Sequence, residues 1–265
     1  MKVYISGDIE GVAGITHWDE AGKGKEGYAE FREQMTAEVA AACEGALNAG
    51  AEAIVVKDAH GTGRNILPER LPESVILIRG WSGHPLSMVE ELNESFDALA
   101  MVGYHAAAGA GGNPLAHTLT GKVARLLING VGASEFLLHR NAAAGFGVPT
   151  VFLSGDRVLC DTARSTDPNI HTVATKYSAG AATSSVHPAV AVRDIRAGIE
   201  AALRDDAAYE KPSLPDAFDL ELWYVENEDA YPASFYPGAR LHAPHCVRFE
   251  TDDFFEIMRM LNFVL

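Results

Sequence analysis

Short unbroken apolar runs alternate with longer amphipathic stretches along the first half of the chain. Lys2 to Ser6 is a compact run that ends at Gly7. Tyr28 to Asn48 follows as a stretch of good helix formers, with Phe31, Met35, Val39, Ala42, Cys43, Ala46 and Leu47 at helical spacing and Gly50 as a stop signal. Ala53 to Val56 and Val75 to Ile78 read as strands, Leu86 to Leu92 as a helix, and Ala98 to Val102 as a further strand. Continuous apolar runs, rather than period-two alternation, are the mark of strands covered on both faces. Strands and helices in succession predict an α/β fold, a largely parallel sheet with flanking helices.

The pattern is less regular in the middle. Gly103 to Pro114 is rich in Gly and Ala and predicts a loop, Thr118 to Ile128 an extended piece, Ser134 to Phe146 a helix, and Thr150 to Ser154 a strand. Helices near Arg157 to Arg164 and at Ala189 to Leu203 flank an extended segment at Ile170 to Tyr177. Lys211 to Pro215 carries two prolines and is the best boundary candidate. It divides a catalytic α/β domain over residues 1–210 from a smaller C-terminal α+β subdomain over 211–265. Within the latter, Glu221 to Val225 and Cys246 to Phe249 read as strands and Asp252 to Asn262 as a closing helix.

Composition narrows the class. With 265 residues, 48% hydrophobic and 22% charged, the chain can bury a substantial core, and disorder is excluded. A formal charge of -15 repels phosphate backbones, which argues against nucleic acid as a partner. Cys43, Cys160 and Cys246 are scattered, an odd set that makes a poor disulfide framework and fits a reducing compartment. The opening MKVYISGDIEG lacks the apolar core of a cleavable leader, and no run approaches the ~18 apolar residues of a membrane span. A cytoplasmic protein with no membrane partner is the expectation.

Candidate chemistry gathers where the strands end. Val3-Tyr4-Ile5 leads to Asp8 and Glu10, Ile54-Val55-Val56 to Asp58 and His60, and Leu99 to Val102 leads to His105. Parallel α/β sheets bind ligands outside the carboxyl ends of their strands, so these side chains are expected to meet. Carboxylates and imidazoles packed together without a cation are costly, and a divalent ion removes the cost. Mixed Asp/Glu/His ligation suits Zn²⁺ better than Mg²⁺ or Ca²⁺. One bridging carboxylate with two ligands on either side would make a two-metal site with water between the ions. Each residue also has a plainer reading: Asp8 as a turn former, Glu10 as a solvated acid, His60 and His105 as structural histidines, His117 as surface decoration, and Glu135 as a helix-start acid favoured by the dipole. Asp58 is read as orienting His60 rather than ligating. The repetition of one pattern at three strand ends favours the metal.

The segments SGDIEGVAG, KDAHG, GYHAAAGAGGNPLAHT and INGVGASEFLLHRNAAAGFGVPTVFLSGD follow one another along the chain. In this order and spacing they resemble the D-aminopeptidases, a family of dinuclear zinc metallopeptidases associated with dipeptide transport. The likeness is strongest over Met1 to Asp156 and continues more weakly to the end. It implies two Zn²⁺ per subunit held by Asp8, Glu10, His60, His105 and Glu135, with Asp8 as the bridge and His117 as the catalytic residue. It also implies hydrolysis of the N-terminal residue, a D-amino acid, from short peptides or amino-acid amides. A homo-oligomer, a decamer of two stacked pentameric rings, is implied as well. Two departures stand out: the loop between His105 and His117 is a residue longer than the family's form, and Ser134 replaces the family's Gly before Glu135, with Gly132 displaced. A metal-dependent phosphatase or amidohydrolase remains an alternative, because Asp8-Ile9-Glu10 after a first strand is similar to phosphoryl-transfer sites. So does a non-catalytic metal- or peptide-binding module.

Overall fold

A chain with this many two-sided apolar strands must cover both faces of its main sheet, and the structure does so with helices on one side and a mixed layer on the other. The computed structural model describes residues 1–210 and 212–265. In chain order the elements are β1 (Lys2–Gly7), α1 (Trp18–Ala21), α2 (Tyr28–Asn48), β2 (Ala53–Asp58), β3 (Val75–Ile78), β4 (Ala98–Tyr104), β5 (Val123–Ile128) and β6 (Val131–Gly132). Next come α3 (Glu135–Gly145), β7 (Thr150–Asp156), α4 (Arg157–Thr166), β8 (His171–Ala179), β9 (Ala182–Ser185) and α5 (Pro188–Ala202). The chain closes with β10 (Phe218–Tyr224), α6 (Asn227–Ala233), β11 (Arg240–Ala243), β12 (Cys246–Thr251) and α7 (Phe254–Val264).

The main sheet has seven strands in the order β3-β2-β1-β4-β7-β8-β9, parallel except for the β8–β9 hairpin. The chain builds outward from β1 to β3 on one side, then returns to β4 and builds outward on the other. The strand order therefore reverses between β1 and β4, which opens a crevice at their carboxyl ends. A second, antiparallel sheet has the order β11-β12-β10-β5-β6. It takes β5 and β6 from residues 123–132 as well as strands from the C-terminal part, and Lys211, where the expected boundary begins, lies outside the described residues.

On one face of the main sheet, Val3, Ile5 and Val56 pack with Val39 of α2 and Ile195 and Ile199 of α5. On the other, Tyr4, Leu99, Met101 and Leu153 share a core with Phe136 and Leu138 of α3, Leu126 and Leu220 of the antiparallel sheet, and Ile257 and Leu261 of α7. This alternation along β1 and β4 is the period-two geometry of a strand.

Leu86 to Leu92 does not form the expected helix. A single 3-10 turn, Ser87–Val89, occurs there, and Ser87 and Glu91 adopt positive φ of 47° and 69°. The cause is tertiary. The Met88 carbonyl accepts from Ser6 Oγ at 2.7 Å and the Glu90 carbonyl from Tyr4 Oη at 2.6 Å, so carbonyls that a helix would use internally are drawn to β1.

Candidate metal centre

The ends of β1 and β4 are tied together closely. Asp8 N–H donates to the Val102 carbonyl at 2.8 Å, and Gly11 N–H to the Gly103 carbonyl at 2.7 Å. A Cβ on Gly11 would lie 1.8 Å from the Tyr104 carbonyl oxygen, so only glycine allows the loop to press this closely on β4. Asp8 and Glu10 are thereby fixed beside His105, the residue after β4. On the other side Ala59 N–H donates to the Gly7 carbonyl at 2.8 Å, which sets His60 next to the same loop. Glu135 is the first residue of α3, whose N-cap Ser134 accepts from Leu137 N–H.

The five expected ligands converge. His60 Nδ1 lies 3.4 Å from Asp8 Oδ1 and 3.1 Å from Glu10 Oε1. His105 Nε2 lies 3.5 Å from Asp8 Oδ2 and 3.3 Å from Glu135 Oε2. His117 Nε2 is 3.6 Å from Glu135 Oε1, and its ring stacks on that of His105 with centroids 4.2 Å apart. Asp8 thus turns one oxygen toward each half of the cluster.

These separations are longer than charge-assisted hydrogen bonds, which run at about 2.7–2.9 Å. Bonds of roughly 2.0–2.2 Å to a tetrahedral ion give ligand–ligand edges of about 3.3–3.6 Å, close to what is seen. Asp8 Oδ2, Glu10 Oε2 and His105 Nε2 are buried and have no hydrogen-bond partner. Buried polar atoms are almost always paired, so three unpartnered atoms in one Asp/Glu/His cluster fit a cation-binding site. Two groups, Asp8/Glu10/His105 and His105/His117/Glu135, each bring three ligand atoms within 4.8 Å of one another.

The tautomers agree. His60 Nε2–H donates to the Ala21 carbonyl at 2.8 Å and His105 Nδ1–H to the Ala106 carbonyl at 3.0 Å, so the inward nitrogen of each ring faces carboxylates. Without a cation, protons take its place. Burial opposes charge on His60, yet the adjacent Glu10 and Asp8 carboxylates outweigh it and hold the imidazole well above its usual range. His105 is likewise lifted against its burial to about 10, chiefly by Glu135. Glu135 falls to about 2 despite its burial, through the neighbouring charge of His105. Burial and the Glu10 charge push the Asp8 carboxyl well above the usual carboxylate range. Glu10, buried too, is drawn well below that range by His60.

Asp58 points away from the His60 ring. Its oxygens accept from Ile66 N–H at 2.7 Å and Asn65 Nδ2 at 2.8 Å, and the same amide donates to the His60 carbonyl, so Asp58 braces the loop that carries His60. Other supports escaped the sequence reading. Helix α1, four residues long, supplies the Ala21 carbonyl for His60, and its Trp18 meets the His117 ring edge-on at 5.2 Å. Its signal was the capping box of His17 and Glu20, whose side chain accepts from Thr16 and His17 N–H. Buried Lys176 donates to the Glu10 carbonyl at 2.6 Å and the Ile15 carbonyl at 2.9 Å, holding both ends of the ligand loop. Burial lowers its pKa to about 8. No local pattern marks a lysine so far along the chain as part of this site. Above the cluster opens a cleft of about 430 Å³.

The model of the D-aminopeptidase family, peptidase family M55, matches residues 1–263. The chain belongs to this family. A D-aminopeptidase of Bacillus subtilis (strain 168) is 29% identical over 258 residues, 97% of this chain and 93% of that protein. A solved structure, described as the Zn-dependent D-aminopeptidase DppA from Bacillus subtilis, a self-compartmentalizing protease, is similar with a TM-score of 0.93. That match covers 100% of this chain and 96% of the other at 27% identity. The α/β architecture described above is therefore that of a D-aminopeptidase family member.

Proposed function

We propose that this D-aminopeptidase family member removes the N-terminal residue, a D-amino acid, from short peptides or amino-acid amides, with two zinc ions per subunit. The observation that carries this reading is the split presentation of Asp8, one oxygen toward His60 and Glu10 and the other toward His105 and Glu135. The zinc-dependence of the similar solved structure supports the metal. Bound zinc supplies Lewis acidity for the scissile carbonyl and makes water acidic enough to ionise near neutral pH.

The protein's own groups do the rest. Asp8, Glu10, His60, His105 and Glu135 would hold the two ions, with Asp8 shared between the half-sites. His117 Nδ1–H donates to the Leu115 carbonyl at 2.9 Å, which leaves Nε2 bare and directed at the cluster. From there it takes a proton from the attacking water and returns one to the leaving amine. Buried on all sides except the cleft, the carboxylates and imidazoles keep bulk water from competing for these charges. The self-compartmentalizing neighbour supports assembly as a homo-oligomer; the decamer of two stacked pentameric rings is what the family resemblance implies. Among the described residues no helix is long and apolar enough to cross a membrane.

The test is a panel of D- and L-aminoacyl amides assayed with and without chelator, alongside zinc analysis of the purified protein. The expected result is two zinc ions per chain and D-amide hydrolysis that chelation abolishes and zinc restores. A protein that binds no zinc, or that hydrolyses none of the amides when loaded, would end the proposal. Sedimentation of the same sample reports the assembly.

A further inference from the structure

The cleft has a wall chemistry that metal binding alone does not require. Trp18, Trp81, Pro85, Met88, Leu119 and Met258 line it above the ligands, and no lysine or arginine is among its described lining residues. Trp81 is held as a fixed surface. Its indole Nε1–H donates to the Gly61 carbonyl at 2.8 Å, next to His60, and the Lys57 ammonium sits 4.2 Å from its ring centroid. The loops that carry these groups touch directly: Gly80 N–H donates to the Gly63 carbonyl at 2.7 Å, and a Cβ on Gly63 would come within 2.8 Å of Gly80 N. Yet Trp81 remains 41% exposed and Trp18 47%. Large aromatic rings fixed in place and open to solvent beside a catalytic cleft are contact surface for a ligand.

Charge narrows what that ligand carries. Lys57 is fully buried, and its ammonium is consumed by the Gly80 carbonyl and by Glu90, 3.0 Å away. It therefore offers nothing to a substrate carboxylate. It also occupies one face of the Trp81 indole, so a cationic side chain on the open face would meet a ring whose attraction is already used by a like charge. An acidic side chain would find no lysine or arginine among the described lining residues to receive it. An apolar side chain meets none of these penalties and gains the burial.

We propose that the site selects substrates whose N-terminal residue bears a bulky apolar side chain, of leucine or phenylalanine type, packed on the wall that Trp18 and Trp81 provide. This rests on the aminopeptidase reading and adds the substrate class. An apolar pocket separates side chains differing by one methylene by roughly 10–200-fold. D-Leucinamide and D-phenylalaninamide should therefore exceed D-alaninamide in kcat/KM by about tenfold or more, with D-lysinamide and the α-amide of D-glutamate below them.

The experiment uses the zinc-loaded full chain and measures kcat/KM for these five amides in the wild type, in Trp81→Ala and in Trp81→Phe. In parallel, binding of the matching amino alcohols, which have no scissile bond, is followed by tryptophan fluorescence. The expected result is the apolar preference in the wild type, its retention in Trp81→Phe and its collapse toward parity in Trp81→Ala. Equal or better turnover of D-alaninamide, or a preference for the charged amides, overturns the inference while leaving the aminopeptidase reading intact. If no amide is hydrolysed, that reading fails by itself, and the order of alcohol binding still decides whether the wall selects apolar groups. Should Trp81→Ala not fold, the wild-type panel and the alcohols remain decisive.

Discussion

Zinc uptake must release protons, because the nitrogens and oxygens that would ligate it carry them in the metal-free cluster. His60 and His105 each commit their outer N–H to a backbone carbonyl, so the proton that keeps either ring charged sits on the inward nitrogen. His105 is held at about 10, so it keeps a displaceable proton at pH 7, and His60 and Asp8 are shifted in the same upward direction. Ligands must shed them to bind. Each proton makes apparent affinity rise about tenfold per pH unit, roughly 1.4 kcal/mol. His105 alone predicts about a tenfold rise from pH 6 to 7 and again from 7 to 8, and the upward shifts of His60 and Asp8 act in the same direction. Calorimetric titration with zinc in buffers of differing ionisation heat counts the protons, and competition with a chromophoric chelator gives the slope. Release of fewer than about one proton per chain, or an affinity that does not change with pH, would refute the reasoning. The same shifts set the pH response of the metal-free fold. The His105 contribution is complete below 6.5 and lost as pH climbs through about 10. That of Glu135 is complete above 4.5 and lost as pH falls through about 2. The metal-free chain is then best held between 4.5 and 6.5, and zinc adds most at alkaline pH.

Other substitutions probe other links. His117→Ala should leave zinc content at the wild-type level and lower kcat by about two to four orders of magnitude, checked by metal analysis beside steady-state kinetics. Gly11→Ala forces a Cβ to 1.8 Å from the Tyr104 carbonyl, so it should cost at least about 3 kcal/mol in urea unfolding and impair zinc retention. Burial lifts the Glu38 carboxyl from 4.5 to about 7, so its ionisation costs stability as pH rises through that range. Glu38→Gln should therefore unfold at higher urea than the wild type at pH 8, by roughly 1–3 kcal/mol, with the gap closing at pH 5.

What the sequence made legible was whatever short-range pattern encodes. Helix α2 lies at Tyr28–Asn48, as its apolar spacing and Gly50 predict, and the strand-end acids and histidines stand out because unbroken apolar runs lead into them. The failures come from control by distant partners and from elements that local rules pass over. Leu86 to Leu92 has helix-forming residues but gives its carbonyls to Tyr4 and Ser6. Helix α1 is too short for periodicity to register, and α6 contains Pro232, which argues against a helix on propensity grounds. Lys176 reaches the Glu10 loop from the far side of the main sheet's strand order, which no window of neighbouring residues can reveal.

The proposed ligands stand on backbone that is paired independently of any ion. Asp8 is anchored on Val102, the His60 loop on Gly7 and on Asp58 through Asn65, and Glu135 on a capped helix start. This differs from small zinc domains, in which the metal supplies most of the folding energy. Here the fold creates a cluster that is costly while empty, with three orphaned buried atoms and opposed carboxylates, and protons offset part of that cost. The free energy stored in those unsatisfied groups is therefore available to metal binding rather than to folding. It follows that zinc can leave and return without unfolding the chain, and that the strength of its retention is governed by pH more than by the stability of the scaffold.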